Sequence, residues 1–171
     1  NAQRTLILGR AGTEEPVLFT VREDFSLGSS SNAWGPVNVN ADWNVLVANG
    51  KTLNVYGALN SSGRTITVGG EGFSGTLVLN NAANASMTAE WVITSGSTVR
   101  CMNNSALGSG LVTLDGGTLD FNSQTIGSTI TLNMSGTGTL QNVTVDGAIL
   151  SYTSSSGNDG ITASNTTWTS G

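Results

Sequence analysis

A short phrase that returns at nearly constant spacing constrains this chain more than any other feature. Gly50-Lys51-Thr52-Leu53 is followed by Ser74-Gly75-Thr76-Leu77, Gly96-Ser97-Thr98-Val99, Gly116-Gly117-Thr118-Leu119 and Thr137-Gly138-Thr139-Leu140. The apolar members stand 24, 22, 20 and 21 residues apart, and Ile161, a further 21 residues on, is the expected sixth. A period in this range is the mark of a solenoid, because one repeat cannot bury its apolar face alone and must stack on its neighbour.

Side chains alternate between the two faces of a strand, so each phrase also assigns its neighbours. Leu53, Leu77, Val99, Leu119, Leu140 and Ile161 form one expected inward rank, and Val55, Leu79, Cys101, Phe121 and Ala163 a second, which Asn142 interrupts. Either a bulge shifts the register at Asn142 or its amide joins a corner ladder. The residues between the ranks, Asn54, Val78, Arg100, Asp120, Gln141 and Thr162, are mostly polar and should face solvent. Arg100 and Asp120 would then lie on adjacent coils about 4.8 Å apart, a structural ion pair. Half a coil away come Thr65–Val68, Trp91–Thr94, Leu111–Leu114 and 128–132, a second strand per period, with Gly- and Asn-rich corners between. The expected fold is all-β: a single right-handed parallel β-helix with coils of about 20–24 residues. An antiparallel β-sandwich also suits strands every ~10 residues, but gives no reason for the repeated phrase.

Composition agrees with many short strands. Only 10% of residues are charged, yet 37% are hydrophobic, the polar remainder being rich in Gly, Ser, Thr and Asn, which favour turns over helices. Regularly spaced apolar clusters and four Trp argue against disorder. Six basic against 11 acidic residues leave no basic stripe for phosphates, so no nucleic-acid partner is expected. No apolar run is long enough to cross a bilayer and no signal peptide is evident, so membrane insertion is not expected and a secreted protein would stand here in mature or excised form.

The segment Ser105-Ala106-Leu107-Gly108-Ser109-Gly110-Leu111-Val112-Thr113-Leu114-Asp115-Gly116-Gly117-Thr118-Leu119-Asp120-Phe121-Asn122 closely resembles the autotransporter-associated β-strand repeat of bacterial passenger domains. The resemblance covers about residues 105–140. It implies a right-handed β-helix on or beyond a bacterial surface, with cell surfaces or sister molecules as partners.

The two ends differ from this pattern. Residues 1–45 lack the phrase and hold Arg4, Arg10, Glu14, Glu15, Arg22, Glu23 and Asp24, so they are expected to be a cap or a docking segment ahead of repeats at 46–171. At the other end, Thr166-Thr167-Trp168-Thr169 reads as ordinary coil with almost no charge nearby. An uncovered coil end invites another strand, so these charged residues and Trp168 are the expected assembly ends of a head-to-tail homopolymer. The alternative is a piece of a longer rod.

Chemistry is sparse. With no His, the usual Ser-His-Asp, Cys-His and zinc ligand sets are missing, and the single Cys101 sits in an inward rank as an inert thiol. Asp115, Asp120 and Asp146 do not share a column, so a glycosidase carboxylate pair is not expected and they read as solvated surface acids. Gly69–Leu77 resembles the calcium-binding β-roll nonapeptide but has Ser74 where that motif has its Asp. The outward threonines Thr52, Thr76, Thr98, Thr118 and Thr139 resemble the ranks of ice-binding solenoids without a partner rank. Asn-x-Ser/Thr sequons at Asn60, Asn84, Asn103, Asn133, Asn142 and Asn165 are about as many as chance gives. No cofactor, metal or catalytic residue is expected. The reading is a structural or adhesive rod of the cell surface or extracellular matrix, with a surface or glycan receptor as a further partner; the alternative is a carbohydrate-binding or polysaccharide-degrading β-helix module.

Overall fold

The computed structural model describes residues 5–9, 15–31, 35–81, 84, 86–127, 131–146, 149–153 and 160–169. Among the described residues there is no helix, and one 14-stranded sheet winds through the molecule. Its strands are β1 (Leu6–Leu8), β2 (Val17–Val21), β3 (Phe25–Leu27), β4 (Val37–Val39), β5 (Trp43–Val47), β6 (Thr52–Val55) and β7 (Leu59–Val68). The chain continues with β8 (Thr76–Leu79), β9 (Thr88–Thr94), β10 (Thr98–Cys101), β11 (Leu111–Gly127), β12 (Thr131–Asp146), β13 (Ile149–Thr153) and β14 (Ile161–Thr169).

Every pairing between these strands is parallel, which makes the chain a β-solenoid of about six turns. One ladder threads Val17, Trp43, Ile66, Trp91, Val112, Met134 and Tyr152. A second threads Phe25, Leu53, Leu77, Val99, Leu119, Leu140 and Ala163. A third aligns Leu6, Val37 and Leu59 in the first turns, and Ile126, Val145 and Trp168 align likewise in the last. The inward positions fuse into one continuous core, in which Trp43, Trp91, Phe121, Leu53 and Leu119 are fully buried.

The repeated phrase has a local explanation at Gly116-Gly117. Gly116 turns the corner at φ +77°, a conformation L side chains rarely adopt, while a Cβ on Gly117 would fall 2.4 Å from the Ile93 carbonyl oxygen of the coil below. Two glycines in succession therefore serve two needs, a left-handed turn and a close approach of backbones. The following Thr118 joins an in-register rank of threonines from Thr52 through Thr76, Thr98 and Thr139 to Thr162.

The structure corrects the expected sequel to Leu140. Ala163, not Ile161, stacks on Leu140; Ile161 stands opposite Gly138 and packs, partly buried, against the core. A slip of two residues keeps the same side chains facing inward, so alternation alone does not separate the two registers. Thr162 accordingly belongs to the threonine rank, and Ser164 stands beside Gln141. At the other end, the strands of residues 1–45 pair in the same ladders as the repeats, although the phrase is missing there: β2 lies on β5 and β3 on β6. Inward alternation at Trp43, Val45 and Val47 carries the coil through that stretch without the corner glycines of the phrase.

Candidate functional site

The expected inward ranks come together in space. Leu53, Leu77, Val99, Leu119 and Leu140 are in register and buried, as are Val55, Leu79 and Cys101 beside them, with Phe121 buried next in line and Leu27 before Val55. Burial, with the Asp120 charge nearby, pushes the Cys101 thiol far above its ordinary range, so it carries no thiolate chemistry.

Asp120 does not fit the expectation of a solvated surface acid. Its residue is 1% exposed, and its carboxylate is the hub of a network on the outward side of β11. Arg100 Nε donates to Oδ2 at 2.9 Å across the expected register, while Asn142 Nδ2 and the Asn122 backbone N–H donate to Oδ1 at 2.9 and 2.8 Å. Asn165 Nδ2 donates in turn to Asn142 Oδ1 at 2.7 Å. Asn122, Asn142 and Asn165 all take positive φ, between 49° and 53°, which asparagine tolerates better than most residues. Both explanations offered for Asn142 therefore hold: β11 carries extra residues between Asp120 and Gln124, and the amides form a corner ladder.

Burial works against the ionised form of Asp120, but the Asn142 amide, the Asn122 N–H and the Arg100 guanidinium together outweigh it and hold the carboxyl below the usual carboxylate range. Because the folded value lies under the unfolded one of about 3.9, the stabilisation is complete above that pH and is lost as pH falls through the folded value. Asp120→Asn is expected to cost about 2–3 kcal/mol near pH 6. In thermal melts, the gap between the variant and the parent protein should narrow as pH falls below the ordinary carboxylate range. A gap that stays constant down to pH 2 would show that the charge contributes nothing.

Of the residues expected at assembly ends, three are engaged with later coils. Glu23 pairs with Lys51 Nζ at 2.6 Å and Asp24 Oδ1 accepts the Thr52 N–H at 2.8 Å, both on the next coil, and the Arg22 guanidinium lies 6.0 Å from the ring centroid of Phe73, two coils along. Glu23 and Asp24 thus fasten the first described turn to the second. Glu15 is exposed, and Arg4, Arg10 and Glu14 lie outside the described residues. Trp168 is 60% exposed on the last turn.

One polar residue that the sequence reading treated only as a sequon proves central. Asn84 is 1% exposed, accepting the Leu59 N–H at 2.7 Å through Oδ1 and donating from Nδ2 to the Ala106 carbonyl at 2.8 Å. Its side chain replaces a rung of backbone ladder between two turns, and so engaged it is no glycan acceptor. The only signal in the sequence was its place about one period after Leu59 and one before Ala106.

Among the described residues, no group of three or more His, Cys, Asp and Glu is arranged to hold a metal ion. Asp115, Asp120 and Asp146 stand opposite Thr137, Gln141 and Thr169 respectively, at three different ladder positions. Comparison with protein-family models, with curated proteins and with solved structures gave no match to this chain.

Proposed function

We propose that this chain is a non-catalytic structural β-solenoid of the bacterial cell surface or extracellular matrix, a filament subunit or adhesin-type stalk. The observation that carries the reading is the stack of about six parallel turns around one continuous apolar core. Each turn lays its backbone groups and apolar face against the next, so a turn is itself a template for another. Among the described residues, Phe25 on the first turn and Trp168 on the last stand exposed in inward-facing columns.

A second copy of the chain or further turns of the same rod satisfies that template in the same way. A contact that joins unlike ends and does not close on itself builds a filament. The likeness of residues 105–140 to the autotransporter-associated β-strand repeat supports a passenger-type rod displayed outside the cell. The acidic balance favours neither nucleic acid nor anionic membrane as a partner.

The test is imaging of the purified chain at rising concentration, with light scattering alongside. Fibres or stacked rods are expected, and Trp168→Lys together with Phe25→Lys should shorten them. Single short rods at every concentration would overturn self-assembly.

A further inference from the structure

On the flank of the rod, where β4 and β7 approach the turn into β9, lies an open groove of about 440 Å³. That lies within the ~300–1,000 Å³ typical of small-molecule sites. Asn38, Asn40, Asn60, Ser62, Arg64 and Ser86 line it, and among the described residues no aromatic ring does. Asn38 and Asn60 are rungs of one ladder, joined by an Asn60 Nδ2 to Asn38 Oδ1 hydrogen bond of 3.1 Å. That bond leaves the Asn38 amino group and the Asn60 carbonyl as a donor and an acceptor side by side. Ser61 Oγ, also at the groove, is buried without a hydrogen-bond partner among the described residues.

The backbone makes a particular provision for Arg64. The pairing of β7 with β9 passes from Ser62↔Thr88 to Thr65↔Glu90, so Gly63 and Arg64 together oppose the single residue Ala89. Gly63 supplies φ +60°, and the Thr65 N–H beyond the bulge is fastened to Asp42 Oδ1 at 3.0 Å. A bulge of this kind re-aims a side chain, and here the side chain concerned is a groove-lining arginine. It has no ion-pair partner among the described residues. In a chain with only six basic residues, an uncommitted guanidinium beside a row of amides and hydroxyls is a specific arrangement.

We propose that this groove binds an acidic oligosaccharide, with a uronate carboxylate on Arg64 and sugar hydroxyls on the Asn38, Asn40 and Asn60 amides. A planar guanidinium matches a carboxylate bidentately. Carboxamides present the donor and acceptor pairs that sugar hydroxyls need. Rungs about 4.8 Å apart along an open groove suit an extended chain lying on the rod rather than a compact molecule.

The test is titration of the whole chain with trigalacturonate and with neutral galactotriose, read by calorimetry and by saturation-transfer NMR. Trigalacturonate is expected to bind with a Kd on the order of 1 mM or tighter, and galactotriose at least tenfold more weakly. Arg64→Ala should weaken trigalacturonate binding by about tenfold or more, and Arg64→Lys by less, since a point charge remains without the fork. Asn60→Ala should lose about threefold. Circular dichroism melts confirm that each variant folds. Absence of trigalacturonate binding, equal binding of the neutral sugar, or an affinity unchanged in Arg64→Ala would each overturn the proposal. The result is independent of filament formation, because the groove lies on the side of the rod and not at its ends.

Discussion

Trp91→Ala is expected to destabilise the solenoid by about 3–5 kcal/mol, the range for truncating a fully buried large aromatic. Trp91 is 0% exposed and stands in the ladder between Ile66 and Val112. Its Nε1 donates to the Leu107 carbonyl at 3.0 Å, so the ring also holds the loop that leads into β11. The loss should appear as a lower midpoint in urea unfolding followed by far-UV circular dichroism.

Trp43 provides the internal comparison. It is equally buried and meets Phe19 edge to face at 6.2 Å, but its Nε1 has no hydrogen-bond partner among the described residues. Trp91→Phe should therefore cost about 1–3 kcal/mol more than Trp43→Phe, because only the former leaves a buried carbonyl without its donor. Equal costs for the two phenylalanine variants would remove the Leu107 bond from the account.

Asn84→Ala is expected to cost about 2–5 kcal/mol, the sum of two buried backbone groups left without partners. The Leu59 N–H loses its acceptor and the Ala106 carbonyl its donor, and the truncated side chain leaves a gap between turns. Asn84→Asp should not rescue the loss: one carboxylate oxygen still accepts from Leu59, but the other meets the Ala106 carbonyl with no proton to offer. Hydrogen exchange at the Leu59 amide gives a local readout, which should accelerate in both variants relative to the Val99 amide in β10. An Asn84→Ala midpoint within about 0.5 kcal/mol of the parent would mean that water or a rearranged turn takes over both bonds.

The inward ranks were legible because they rest on local rules. Alternation marks Leu53 and Val55 or Leu77 and Leu79 as sharing a face whatever lies above or below them. The spacing of the phrase then says that these faces recur often enough to stack. The Arg100–Asp120 pair was legible for the same reason, since equal places in successive coils put them side by side. Residues 17–47 were harder: their coils use Trp43, Val45 and Val47 without the corner phrase, so the repeat was present in the burial pattern and missing from the letters.

The amino-acid order by itself determined that this chain stacks parallel turns around an apolar interior, because a two-residue alternation repeated about every 22 residues has few other ways to bury its leucines and valines. Only the tertiary structure decided which polar residues become buried. Asp120 and Asn84 lie in stretches that read as surface, and nothing local distinguishes them from Asp115 or Asn81. Their roles depend on groups 20 or more residues away, Arg100 and Asn142 for one and Leu59 and Ala106 for the other. The same holds for Ile161 and Ala163: both registers bury the same face, and the choice between them is made by contact with the turn beneath.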